Sequence, residues 1–289
     1  IPAVQNMILK NICDKISSSE EFRELELKEF KNASIEGISP ASFPLIISAV
    51  FHYMNKQVFV ITENMQKMNE LYLDLTCFID DQLLYKFPQW ETLPYEFMSP
   101  IESIERDRIK SIYKIISGTP GVIMATVDSV LRKLPSKDFF LKKGLTLVTD
   151  DEYPFDDIIS TLIQYGYTRE ARVESFGQFS VKGSIIDIHL SSLENPVRLD
   201  FFGDTLESIR EFDLETQLSA GLESHSEITV YPRRELVFFN KEKARLKNIL
   251  KEKFTGSMDI PDELHSWLND TNDNIEKIVM ELMNSGNET

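Results

Sequence analysis

Short apolar runs alternate along the first 126 positions with segments whose apolar residues recur every three to four places. The first pattern marks strands buried on both faces and the second marks amphipathic helices. Residues 43–55, 65–75 and 103–116 read as helices, and residues 57–62, 83–88 and 121–126 as strands. Strand and helix taken in turn predict a mostly parallel sheet. Residues 1–30, closing on EEFRELELKEF, read as a polar amphipathic helix packed by one face.

The order changes after Thr126. Residues 127–134 and 154–164 look helical, the latter opening on a proline as first turns often do, and strands dominate from Arg172 to Phe212. In residues 196–202, Val197, Leu199 and Phe201 fall on one face of a strand, with Arg198, Asp200 and Phe202 on the other. Gly203-Asp204 is a turn-prone pair, and residues 205–212 alternate well enough to return as the partner strand of a hairpin. Upstream, Phe179 and Val181 oppose Ser180 and Lys182, and beyond Gly183 the residues Ile186, Ile188 and Leu190 extend the apolar face. A glycine inside a strand pattern marks a bulge or a close backbone approach. Lys182, Arg198 and Phe202 then share one outer face, which on pattern alone reads first as a solvated sheet face with one incidental Phe; the alternative is a docking surface, since a large ring flanked by basic groups suits an interface hot spot.

These patterns divide the chain into a first α/β domain over residues 1–127, a smaller α+β domain with an antiparallel sheet over 128–217, and a return to the first domain over 218–289 that ends cut short. The returning part is expected to hold a strand at 228–231, a helix at 241–254, and helical patches at 262–267 and 274–284.

Charge narrows the function. With 47 acidic against 31 basic residues the net charge is −16, whereas a chain that binds DNA by itself normally presents a basic surface. Little direct DNA binding is expected. No apolar run approaches the roughly 20 residues that span a bilayer, no leader precedes the first helix, and two cysteines, Cys13 and Cys77, make no disulfide framework or zinc motif. A reduced, cytoplasmic protein without a membrane partner is expected.

The order of residues GQFSVKGSIIDI, then PVRLDFFGDTLESIREFDLETQ, resembles a segment shared by the excision-repair helicase UvrB and the transcription-repair coupling factor Mfd, in which it forms a small UvrA-binding domain. WETLPYEFMSP from Trp90, followed by Arg106, Asp107 and Arg108, is similar to the Mfd branch. UvrB carries a phosphate loop G-x-x-G-S-G-K-T, whose backbone N–H groups and Lys cradle phosphates while the Thr holds magnesium. The stretch from Gly37 to Pro44 puts Phe43 at the Lys position and Pro44 at the Thr position, and neither residue supplies that chemistry. The resemblance therefore implies a UvrB-like module whose motor-type α/β domain has a degenerate phosphate loop and no nucleotide cofactor. It carries the family's UvrA-contacting residues onto Lys182, where the family has Arg, and unchanged onto Arg198 and Phe202. Ser184 departs from a glycine common in the family.

No nucleophile, base and orienter can be assembled from the chain. Asp150, Asp151, Glu152, Asp156 and Asp157 cluster, yet without a partner His or calcium-loop spacing they read as a solvated loop and helix start, so no metal is expected. His189 reads as a partly buried strand-end residue and Trp90 as a packing anchor. The expected function is a non-catalytic module that recruits UvrA in transcription-coupled nucleotide excision repair, with RNA polymerase and DNA engaged by regions of the full-length family members outside this chain. The alternatives are an ATP-dependent, UvrB-like damage-verifying helicase and a β-rich interaction domain with an unrelated partner.

Overall fold

A computed structural model describes residues 36–90, 102–219 and 223–235, with isolated positions elsewhere. The chain divides into two compact units, residues 1–91 with 110–132, and residues 92–109 with 133–289. The landmark stretch 91–100 and the expected helices at 241–254, 262–267 and 274–284 lie outside the continuously described residues.

The first unit is built on three parallel strands, β1 (Gln57–Thr62), β2 (Leu84–Phe87) and β3 (Gly121–Thr126), in the order β1-β3-β2. Central β3 is buried at every residue, which is why its apolar run shows no alternation. Helices α1 (Phe43–Met54) and α2 (Met65–Leu75) join the sheet in a core of Phe51, Met68, Leu75, Ile79, Leu84, Val122 and Met124. Local chemistry fixes their ends. Asn55 closes α1 in the left-handed region (φ 48°), and the Asn64 side chain accepts the Lys67 N–H at 2.9 Å to open α2.

Helix α3 (Glu102–Ser117) begins in residues assigned to the second unit and ends in residues assigned to the first. Helix α4 (Val127–Leu131) follows β3 through a reciprocal cap between Thr126 and Ser129. It stops short of the expected 134, because Arg132 is extended and Pro135 penalises helical backbone before it.

The second unit opens with two elements that the sequence pattern does not reveal, α5 (Lys137–Leu141) and β4 (Leu145–Val148). After α6 (Phe155–Gln164) come β5 (Thr168–Arg169), β6 (Gln178–Lys182), β7 (Ile185–Ile188), β8 (Val197–Phe202), β9 (Thr205–Glu211), β10 (Ser224–His225) and β11 (Glu227–Val230). Six of them form one sheet in the order β10-β9-β8-β7-β6-β5, antiparallel except for the β5–β6 pair. Strand β11 pairs antiparallel with β4. Residues 223–235 thus lie in the second unit rather than returning to the first, as the sequence pattern had suggested from Leu218. The cause is burial: Ile228 and Val230 share a core with Leu147, Phe179, Ile186, Leu199 and Ile209. Overall the protein is mixed α/β with several sheets, one of them largely antiparallel. Among the described residues no helix is long and apolar enough to cross a membrane.

Candidate functional site

Strand β8 has the alternation its sequence predicts. Val197, Leu199 and Phe201 are buried, Arg198 and Asp200 are half-buried, and Phe202 is 77% exposed. Its neighbours extend both faces, since β6 and β7 send Phe179, Ile186 and Ile188 inward and leave Lys182 outside. Gly183 is not a bulge. Lys182 pairs with Ile185 across a two-residue turn, Gly183-Ser184, and Phe202 pairs with Thr205 across Gly203-Asp204. Both glycines have φ 62°, and positive φ at the first central residue is what a tight hairpin of the type II′ class requires.

Register then places the three predicted residues on successive rungs of one face. Ser180, Asp187, Arg198 and Arg210 form the first rung, Lys182, Ile185, Asp200 and Ser208 the second, and Phe202 with Thr205 the third. Strands β6 and β8 end at the same edge of the sheet, so Lys182 and Phe202 both stand beside hairpin turns. At about 3.3 Å per residue and about 4.8 Å per strand, the strip is roughly 13 Å by 10 Å. An open depression of about 480 Å³ adjoins it, lined in part by Ser184, Ile185, Asp200, Glu207, Ser208 and Arg210.

Arg198 is tied to an acid on the neighbouring strand. Its Nε and one terminal nitrogen donate to the two oxygens of Asp187 at 2.7 and 2.9 Å, and its guanidinium lies 4.8 Å from the centre of the Phe212 ring. Asp187 is 1% exposed against 22% for the Arg198 side chain. Hydrogen bonding to that carboxylate raises the Arg198 pKa above its usual value, so the charge is fixed in place and in sign. Arg210 pairs with Asp200, which also accepts from the Ser208 hydroxyl at 3.0 Å. Lys182 is exposed and has no ion pair among the described residues. The face therefore offers one exposed lysine, two carboxylate-paired arginines, Arg198 and Arg210, and one bare ring.

The turn beneath Phe202 is braced. The loop after β4 donates from Asp150 N to Leu206 O at 2.8 Å and from Tyr153 N to Asp204 O at 2.7 Å, while Leu206 N donates to Asp151 O at 3.0 Å. The Asp204 side chain accepts the Phe155 N–H at 3.1 Å, and Phe155 meets Phe201 edge-on with ring centres 5.2 Å apart. The acidic cluster at 150–157 thus supplies a scaffold for the hairpin. Sequence reading missed this role, and missed Asp187 and Phe212; the signal for Asp187 was an acid inside the run I-I-D-I, opposite Arg198 in phase.

In the first unit, the stretch from Gly37 to Pro44 is a bend followed by a single 3-10 turn, Pro40–Ser42, leading into α1. Phe43 is 49% exposed and Pro44 is buried. Neither Pro40 nor Pro44 has an N–H to offer a phosphate, and no Lys stands in the stretch.

Elsewhere in the second unit, buried basic groups have other uses. Arg108 and Glu235 form an ion pair with side chains 1% and 2% exposed, and Arg233 reaches Glu105 at 3.3 Å. His189 is buried, and burial, then the charge of Arg106, pushes its pKa below the usual value. Trp90 is half-buried.

Comparison with known proteins agrees with the resemblance read from the sequence. Residues 145–236, from β4 through β11, match the family model of the UvrB interaction domain. A transcription-repair-coupling factor of Bacillus subtilis is 29% identical over 240 residues, covering 82% of this chain and 20% of that protein. One from Staphylococcus epidermidis is 29% identical over 219 residues, 75% of this chain and 19% of that protein. A Staphylococcus aureus relative is 30% identical over 188 residues, 65% and 16%. The chain spans about a fifth of the length of these relatives.

Proposed function

We propose that this chain, a counterpart of part of the transcription-repair-coupling factors and bearer of a UvrB interaction domain, is a non-catalytic module that recruits UvrA. The observation that carries this reading is Phe202, a ring 77% exposed at a braced hairpin, on the face that also carries Arg198 and Lys182. Exposed aromatics beside ordered arginines are the usual anchors of protein interfaces, because the ring contributes buried apolar area at little entropic cost. Lys182 adds long-range attraction to an acidic partner surface.

The first unit is read as a motor-type layer that no longer handles nucleotide, supported by Phe43 and Pro44 where a phosphate loop needs Lys and Thr. Engagement of RNA polymerase and DNA belongs to regions of the relatives beyond the part this chain matches. Titration of UvrA with the purified chain tests the reading. The wild type binds; Phe202→Ala loses most of the affinity with its circular dichroism and unfolding midpoint near wild type, and Arg198→Glu loses most of it too, compared under conditions where that variant, whose buried Asp187 has lost its partner, is still folded. Equal binding by all three proteins would refute it, as would detectable ATP binding by the wild type for the nucleotide-free reading of the first unit.

A further inference from the structure

We propose that Glu211, Glu223 and His225 form a binding site for one divalent transition-metal ion, with Zn²⁺ the best chemical fit, that clips edge strand β10 to β9. The site is separate from the docking face. Glu211 ends β9, and its N–H donates to the Glu223 carbonyl at 2.9 Å, so the two glutamates stand opposite each other across an antiparallel pair. His225 lies two residues beyond Glu223 and therefore on the same side of its strand.

One ligand atom from each residue lies within 4.8 Å of the other two, and Glu211 Oε1 is 3.0 Å from His225 Nε2. Tetrahedral zinc with bonds of about 2.0–2.2 Å needs ligand atoms roughly 3.3 Å apart, so small side-chain adjustments suffice. The set of one imidazole and two carboxylates suits zinc, and three protein ligands leave a fourth position for water.

Charge balance points the same way. Opposed carboxylates repel across a strand pair, and Glu211 is only 7% exposed, which denies it most solvent screening. Among the described residues no Lys or Arg forms an ion pair with either glutamate. A divalent ion neutralises both charges at once. Asn195 meanwhile donates to Glu211 Oε2 at 2.9 Å, holding the carboxylate so that Oε1 faces His225. An outer partner that orients a ligand in this way is a usual companion of metal sites. Phe212, the residue after Glu211, carries the Arg198 guanidinium, so a bound ion would also stiffen the backing of the docking strip.

The test is a calorimetric titration of the chelator-stripped chain with Zn²⁺ alone, together with thermal unfolding with and without the ion. The expected result is one ion per chain and an unfolding temperature that rises with Zn²⁺ and falls back when chelator is added. Glu223→Gln, an exposed and nearly isosteric change that leaves the fold intact, and His225→Ala each abolish the shift. Asn195→Ala weakens binding by about tenfold. A wild type that shows no saturable binding overturns the proposal, leaving His225 as a hydrogen-bond partner of Glu211 only. Binding that survives both Glu223→Gln and His225→Ala also overturns it, because the ion then sits elsewhere.

Discussion

Two arginine–carboxylate pairs in the second unit use the same chemistry at opposite depths. Arg108 and Glu235 are both sealed from solvent, while Arg198 and Asp187 bury only the acid and leave a fifth of the arginine in water. A pair sealed on both sides returns little net stability over an apolar replacement, but losing one member strands a charge where nothing can solvate it. A half-open pair does something else. Its buried carboxylate sets the position of a cation whose outer edge remains available to a partner. Depth thus separates an arginine that holds the unit together from one that presents a surface, although both are bidentate.

The largest predicted effect tests the sealed pair. Glu235→Ala should destabilise the second unit by about 3–5 kcal/mol in urea unfolding, since it takes the bidentate carboxylate away from a fully buried guanidinium. Its effect on UvrA affinity, measured under conditions where the variant is still folded, should be small. A loss of stability no larger than that of a surface substitution would break the contrast drawn above. The next largest lies wholly on the docking side. Phe202→Ala should cost about 2 kcal/mol or more of UvrA binding by calorimetry and leave the unfolding midpoint unchanged, because the ring rests on solvent in the free protein. Asp187→Ala falls between the two classes. It should cost roughly 1.5 kcal/mol of stability, since Arg198 can turn to water when its partner goes, and should weaken binding as well by releasing the clamped guanidinium. If Asp187→Ala affects stability alone, Arg198 does not act through its fixed position.

The outer face of β8, proposed for docking, was legible as geometry because a strand has a period of two. Alternation from Val197 to Phe202 gives the inside and outside of β8 without any knowledge of its neighbours. What it could not give was register. The pairing of Asp187 with Arg198 depends on which residue of β7 stands opposite β8, and a shift by one position would have turned Asp187 to the core. The β4–β11 pair was hidden for a related reason. Leu145–Val148 is four residues long and acquires its meaning only from a partner about eighty positions away, so nothing local announced that residues 227–230 would stay with the second unit. The cluster of Glu211, Glu223 and His225 also exists only through strand pairing, which is why the spacing of His and Cys along the chain gave no hint of it.

His189 supplies a third basic side chain to compare, buried like Arg108 but able to shed its charge. Burial first, and Arg106 second, lower its pKa from 6.5, so the folded unit holds it neutral at pH values where the unfolded chain begins to protonate. The unfolded state then binds more protons, and stability falls as pH drops below about 6.5 and keeps falling until the folded form protonates too. Above that range this group adds no pH dependence. Unfolding midpoints measured from about pH 7.5 down to about pH 5.5 should fall, and His189→Gln should flatten part of that slope. A variant with the same slope as wild type would assign the acid sensitivity to other groups.

Lys182 carries the smallest expected effect because it is the least constrained of the three residues proposed for docking. Its ammonium is exposed, has no carboxylate to hold it among the described residues, and sits at the end of β6 beside a glycine turn. A charge of that kind contributes mainly through long-range attraction, which salt screens over about 8–10 Å. Lys182→Ala should therefore lower UvrA affinity by less than about 1 kcal/mol, chiefly through the association rate, and the loss should shrink as salt is added. Lys182→Arg distinguishes charge from geometry. If the partner presents a carboxylate in line with the strip, the planar fork of arginine should bind more tightly than lysine, and its gain should persist in salt. An unchanged affinity would mean that position 182 contributes charge alone, and that specificity on this face rests on the clamped Arg198 and the bare ring of Phe202.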